Sequence, residues 1–464
     1  MKALAVFLIG FALAASIIFT NPIIFGGDTL LRLMNRDHLL MGHQLPMLQV
    51  LIAGVTKMSP NAVWIRYLDA VIGGIAGVGF FRMIRDLFGE KWAFPAGLLF
   101  VSNPFFLALS TVPFQEMLML AGLLFAFHFF YTEKWLAASL ALAIACLTRY
   151  EAWAACPVLA LAYIWHKDRS ILGWLKAAVL FGWMPVVWVL AKHGLSSPGH
   201  FVIESSLTFG RLQRYVYLGW IAAKNTQIPV LLLAMAGVWR LYKERVLMDW
   251  RLAVQIAFVA LFLISIPFSA HGVMPDPERY VTAREAVIPI YFVILMSVLG
   301  LLKWPRWTRA IVAVSVVLGA IGGHLYVWRE TSKPDVQLSY RLAKYLDNKM
   351  VTGERVLILS KPITEDMLQG YLSKAQQTGG EEGLRQARLE LQQADLRGTD
   401  YARTVVHSHL GLDRLLAPPA ACGEWVAVWS DYPDAARELA GAQPVDVLRS
   451  GPMSVTILRR KCGE

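Results

Sequence analysis

The sequence predicts a polytopic α-helical membrane protein of about 11 transmembrane helices, followed by a C-terminal soluble α/β domain. Three observations carry this. Hydrophobic residues make up 56% of the 464 positions and the mean hydropathy is +0.49, too apolar for an ordinary soluble protein. The apolar residues gather in runs close to the ~20 residues that cross ~30 Å of hydrocarbon. Basic residues concentrate in alternate short loops between those runs, the pattern that sets membrane orientation.

The runs are 3–20, 64–81, 92–109, 114–131, 135–148, 151–165, 172–191, 227–241, 252–269, 286–302 and 309–328. The first could be read as a signal peptide, with Lys2 as its basic start and Ala14-Ala15-Ser16 as a cleavage site. Its apolar stretch exceeds the usual length and more runs follow, which favours a retained span. Residues 45–58 are apolar but short, and are expected to form an interfacial helix. Arg82, Arg85 and Lys91, then Lys134, then Lys167 and Arg169 mark cytoplasmic loops, and Lys2 puts the N-terminus on the same side. Arg240, Lys243, Arg245 and Arg251, then Lys303, Arg306 and Arg309 continue the alternation. An odd number of spans exports the C-terminal region. The 135–165 stretch admits one long tilted helix instead of two spans, but the downstream loop charges favour two.

Beyond about residue 333 the character changes. Strand-length apolar runs at Arg355–Ser360, Trp425–Ser430 and Val455–Leu458 alternate with helix-like polar stretches such as 364–379 and 381–395. The expected division is therefore a transmembrane module over 1–332 and an exported α/β domain over 333–464. There is no internal repeat, Gly/Ser linker or low-complexity tract.

The net charge of +11 does not imply nucleic acid, because the basic residues are spread over loops rather than gathered into one groove. Four cysteines, without CxxC or Cys/His spacing, argue against a cysteine-based zinc site. Cys146 and Cys156 flank a span junction, while Cys422 and Cys462 lie in the polar C-terminal region, where either a disulfide or two thiols fits.

The predicted outer face holds an unusual set of charges. Asp28 follows the first span in Phe25-Gly26-Gly27-Asp28-Thr29; Glu116 opens one span, and Arg149 and Glu151 sit between two others. The outer loops also carry Arg32, Asp37, His38, His200, Arg211, Arg214 and Lys224, then His271, Asp276, Glu278, Arg279, Tyr280 and Arg284. Ionisable groups kept at membrane depth suggest a site. Outer loops should also be poor in basic residues, and arginine is suited to gripping phosphate oxygens with its planar fork. Each residue has a plainer reading. Asp28 could cap a helix beginning at Thr29, and Glu116 could complement the dipole of its own helix. Arg149 could pair with Glu151, and Glu278 with Arg279. Solvation and anionic headgroups account for part of the basic set.

The order of motifs resembles the polyprenyl-phosphate-sugar-dependent glycosyltransferases of the GT-C fold, a group that includes protein O-mannosyltransferases and the lipid A aminoarabinose transferase. The resemblance rests on Asp28 in the first outer loop, Leu45-Pro46-Met47 through Arg66, and Leu87-Phe88-Gly89. It continues with Asn103-Pro104 closing a span, Glu116 opening the next, and Leu147-Thr148-Arg149-Tyr150-Glu151-Ala152. It covers about residues 1–330 and is looser around Glu278-Arg279-Tyr280. Many members have paired acids in the first loop, whereas two glycines precede Asp28, so metal ligation there stays open.

The resemblance implies transfer of a sugar from a polyprenyl-phosphate donor to a glycan, lipid or protein acceptor at the extracytoplasmic face of the cell membrane. It assigns Asp28 as general base and Glu116 as the group orienting base or acceptor. Arg279 and Arg149 would stabilise the departing phosphate and Arg211 and Arg214 would contact the headgroup, with Glu151, Glu278 and Tyr280 also binding substrate. With one base and no obvious nucleophile, direct displacement with inversion is expected. No organic cofactor is implied, no metal-ligand set is evident, and a divalent metal is left open. The absence of a Gly-rich phosphate loop agrees with a lipid-linked rather than a nucleotide-linked donor. A transporter or flippase would show repeated halves and midplane charges, and a non-catalytic scaffold would tolerate loss of the outer acids.

Overall fold

The computed structural model describes residues 1–23, 45–58, 63–194, 209–244, 249–265, 286–351, 354–359, 415–416, 425–430, 439 and 443–459. Described parts of Met1–Thr20 and Arg66–Tyr326, with residues 45–48, form one compact unit; described parts of Gln49–Ile65 and Val327–Glu464, with residues 21–23, form a second.

The first unit is helical. Each of the eleven apolar runs contains helix, and among the described residues four helices are long and apolar enough to cross a membrane on their own: Lys2–Thr20, Val63–Phe88, Ile171–Ala191 and Thr308–Thr331. Large apolar side chains point outward along several helices, including Leu136, Leu140, Leu161, Trp165, Trp174, Leu190 and Trp239. Such an exterior is stable against lipid rather than water. The chain is a membrane protein.

Local chemistry explains where helices stop and turn. The expected span 92–109 is two helices, Glu90–Val101 and Pro104–Leu109. Asn103 breaks it: its backbone is extended, its side chain accepts from the Phe105 and Phe106 amides at 3.1 Å each, and Pro104 takes the first helical position. Asn103-Pro104 is thus a capping signal. The 135–165 stretch forms Trp135–Cys146, a 3-10 turn Tyr150–Ala154, and Ala155–His166. The rings of Trp135 and Tyr163 meet at 5.0 Å. Along one continuous helix they would lie about 42 Å apart at 1.5 Å per residue, so the chain reverses.

Close approach is secured by small residues. A Cβ on Gly237 would overlap the Met296 carbonyl, and one on Gly300 would overlap the Leu233 carbonyl, so Ile228–Glu244 and Val287–Leu301 pack backbone to backbone. One further helix, Phe209–Lys224, occupies part of what the sequence suggests is an outer loop.

Among the described residues, the second unit contains a sheet of five strands in the order β2-β1-β3-β5-β4, with β1 Val356–Leu359, β2 Leu415–Leu416, β3 Trp425–Trp429, β4 Pro444–Ser450 and β5 Met453–Arg459. β2, β1 and β3 run parallel, β5 pairs with β3 antiparallel, and β4 pairs with β5 antiparallel. The β4–β5 connection turns at Gly451, whose φ of 55° is the left-handed conformation glycine adopts without penalty. Helix Pro334–Lys349 lays Leu338, Leu342 and Leu346 on the sheet face formed by Trp425, Ala427, Trp429, Val455 and Ile457. The 4-residue spacing of those leucines gives the helix its single apolar stripe. The polar stretches 364–379 and 381–395, and Cys422 and Cys462, lie outside the described residues.

Candidate functional site

One end of the first unit gathers buried charge from three separate parts of the chain. Glu116 is the second residue of helix Gln115–Tyr131, its side chain fully buried. Arg149 stands in extended conformation just before the 3-10 turn that carries Glu151. Its Nη1 donates to Glu116 Oε1 at 2.5 Å and its Nε donates to both Glu151 oxygens at 3.1 and 3.0 Å. Its Nη2 also pairs with Glu151 Oε1. One guanidinium therefore holds two carboxylates, using the forked donor geometry that arginine alone offers.

Arg66 and Asp69 complete the group. They lie one turn apart on Val63–Phe88 and are 0% and 1% exposed. Arg66 Nε donates to the Thr111 carbonyl at 2.7 Å, which ties this helix to the turn leading into Glu116. Asp69 lies within the electrostatic field of both Arg66 and Glu116. Its Oδ2 is buried and has no hydrogen-bond partner among the described residues. With three acids and two arginines, the group's formal charge is −1 when every carboxyl is ionised.

The surrounding backbone holds this geometry. The Met47 amide donates to the Leu147 carbonyl at 3.0 Å, so the start of helix Met47–Met58 is bonded to the Arg149 segment. Trp153 Nε1 donates to the Cys146 carbonyl at 3.1 Å, and Trp188 Nε1 donates to the Tyr150 hydroxyl at 3.4 Å. These indole contacts fix both sides of the five-residue turn.

The opposite end of the unit is chemically distinct. Lys2 pairs with Glu90 at 3.3 Å and Lys167 with Glu133 at 2.8 Å. Asp86 meets His128 at 2.5 Å, and its backbone carbonyl accepts from Arg251 at 2.7 Å. The charges of the Lys2, Arg85–Lys91, Lys167 and Arg251 regions are thus at one end and the Glu116–Arg149–Glu151 group is at the other.

Of the residues singled out in the sequence, the structure brings together Glu116, Arg149 and Glu151. Arg211 and Arg214 fall in helix Phe209–Lys224. Asp28, Glu278, Arg279 and Tyr280 lie outside the described residues. Arg66 and Asp69 are not among the site residues that the sequence suggests. The signal that could have found them is their i, i+3 spacing at the start of an apolar helix, where two charges share one face. Among the described residues no group of three or more His, Cys, Asp or Glu side chains is disposed to hold a metal ion.

No known family profile matches the chain, and no curated protein sequence matches it. Its fold is similar to that of a solved structure, ArnT from Cupriavidus metallidurans in the apo state, with a TM-score of 0.54 and 13% identity over 97% of each chain.

Proposed function

We propose that this protein is an integral membrane glycosyltransferase that moves a sugar from a polyprenyl-phosphate donor to an acceptor at the extracytoplasmic face. The observation that carries this reading is the buried Arg66–Asp69–Glu116–Arg149–Glu151 group, at one end of a fold shared with ArnT. Burying several ionised groups at a membrane-embedded helix end costs free energy that a purely structural bundle has no reason to spend. ArnT belongs to the lipid A aminoarabinose transferases, one of the groups whose motif order the sequence resembles.

In this reading the chain is multi-pass, the N-terminus is cytoplasmic, and the site end and the 333–464 domain face outward. Asp28 is the general base for the attacking hydroxyl or amine, an assistance worth about 10²–10⁴-fold. Glu116, fully buried and held by Arg149, orients the base or the acceptor. Arg279 stabilises charge developing on the leaving phosphate, a contribution of about 3–4 kcal/mol for a well-placed donor. Arg211 and Arg214 contact the headgroup, while Glu151, Glu278 and Tyr280 shape the donor site. Arg149 has several of its nitrogens committed to carboxylates, which suits it to fixing the acids before substrate arrives. The displacement proceeds with inversion through an oxocarbenium-like transition state.

Mass spectrometry of polyprenyl-phosphate sugars and envelope glycans tests this, comparing cells with the protein, without it, and with Asp28→Asn or Glu116→Gln. The reading expects one lipid-linked sugar to accumulate and one glycan or lipid to lose a sugar, both without the protein and in the variants. Normal transfer in a well-expressed Asp28→Asn protein removes Asp28 as base. Unchanged glycans with altered movement of a lipid across the membrane replace the reading with a transporter.

A further inference from the structure

The turn carrying Arg149 and Glu151 is bracketed by two cysteines. Cys146 ends the helix before it and Cys156 lies in the first turn of the helix after it. Both are buried, at 1% and 7% exposure, and both are free thiols. Their sulfurs nevertheless stand only 3.6 Å apart, in contact across the neck of the segment. Residues ten apart in sequence meet in this way because the chain reverses between them, and the indole of Trp153 holds that reversal by donating to the Cys146 carbonyl.

We propose that Cys146 and Cys156 are a disulfide-forming pair that locks the Arg149–Glu151 turn at the end of the bundle. A disulfide requires sulfurs about 2.05 Å apart, so closure moves them together by about 1.5 Å. The reaction is thiol–disulfide exchange with an oxidant of the disulfide class. Cys156, the more exposed of the two, attacks one sulfur of the oxidant as its thiolate and releases one thiol. The Cys146 thiolate then attacks the mixed disulfide at Cys156 and releases the second. Two protein thiols lose two electrons and two protons in total, and one external disulfide becomes two thiols.

The consequence falls on the site itself. The closed loop contains residues 147–155, and a cross-link there removes conformations in which Arg149 swings away from Glu116 and Glu151. An oxidising compartment maintains such a bond, whereas the cytosol keeps the thiols reduced. The inference therefore rests on the outward orientation of the site end under the proposed function.

The test uses the full chain with Cys422→Ser and Cys462→Ser, so that only this pair can react. Detergent-solubilised protein is first reduced and freed of the reductant, then incubated with or without oxidised glutathione, unfolded, alkylated with a maleimide and digested. The expected result is a Cys146–Cys156 linked peptide lighter by two hydrogens, with alkylation falling from both cysteines to neither and returning after reduction. Hydrogen exchange over residues 147–155 should slow in the oxidised form. Two alkylated thiols, or a glutathione adduct confined to one cysteine, overturn the proposal whatever the protein's activity.

A second arm traps thiols in acid-quenched cells, where the linked peptide should already be present. A Ser197→Cys variant in the same background reports orientation through an impermeant maleimide applied to intact cells. If the pair is reduced in cells while Cys at 197 is labelled, the disulfide proposal fails and the orientation stands. If the pair is reduced and Cys at 197 is shielded, labelling only after the cells are opened, both the orientation and the in-cell disulfide fail.

Discussion

Arg149 donates to Glu116 at 2.5 Å while its other guanidinium nitrogens clasp Glu151, two residues along its own chain. The local pair could form in almost any turn. The bond to Glu116 could not, since it joins residues 33 apart in sequence from two different helical segments. It is the contact that joins the charged turn to the buried Glu116 of another helix, and it can be broken from either side.

Removing Arg149 should be severe. With Arg149→Ala, Glu116 is left buried without its guanidinium, a change that typically costs about 3–5 kcal/mol when one partner of a buried pair is deleted. Arg149→Lys should recover little of this, because a single ammonium cannot reproduce the fork. Thermal unfolding of the detergent-solubilised variants checks both. A Lys variant as stable as the parent would mean that charge alone suffices.

Asp69 should behave in the opposite manner. Its Oδ2 is buried without a partner among the described residues, so Asp69→Asn should leave the unfolding temperature unchanged or raise it. Sugar transfer should fall by about tenfold or more if this carboxyl serves the site. Parallel measurement of unfolding and transfer separates the roles. Loss of stability with transfer per folded molecule unchanged would make Asp69 a structural residue.

The second unit carries its own acid-sensitive joint. Glu354 accepts from the Trp425 indole at 2.8 Å, from the Val351 amide at 2.9 Å and from Arg459 at 2.8 Å. The Trp425 bond, the backbone bond and the Arg459 charge hold its carboxyl below the usual glutamate range. A depressed folded-state pKa stabilises the fold at pH above the unfolded value, near 4.3, and that contribution disappears as pH falls through the folded value. The protection factors of amides in β1 and β3, measured against intrinsic exchange at each pH, should therefore fall in acid, and Glu354→Gln should weaken that dependence. An identical acid response in the variant would assign it to other carboxylates.

Asn103→Ala tests the break between Glu90–Val101 and Pro104–Leu109. The substitution removes a cap accepting from two amides, together with a contact to the Asn225 carbonyl at 3.3 Å. The expected cost is about 1 kcal/mol. Transfer per folded molecule should be unaffected, because Asn103 lies outside the buried charge group. A selective loss of activity at full stability would place it in the site instead.

Much of this architecture can be read from local pattern. Apolar runs announce the helices because lipid and core both demand continuous apolar surface, and strand-length runs announce β1, β3 and β5 because those strands are buried. β4 is hard to read, since its residues are largely exposed and no apolar run marks it. Glu116, Arg149 and Glu151 are legible as charges where charge is expensive, and Cys146 and Cys156 as thiols beside a span junction. Their meeting is not legible. Sequence periodicity reports which side of a helix is apolar; it carries no information on which helix ends meet across tens of residues. Only packing decides that Arg149 reaches Glu116, that Arg66 grips the Thr111 carbonyl, that Asp69 is sealed beside them, and that two sulfurs touch. The order of apolar runs and charges in the sequence determined a membrane protein with charges at its helix ends. The tertiary structure decided which of them share one buried group, because electrostatic pairing depends on distances that only folding sets.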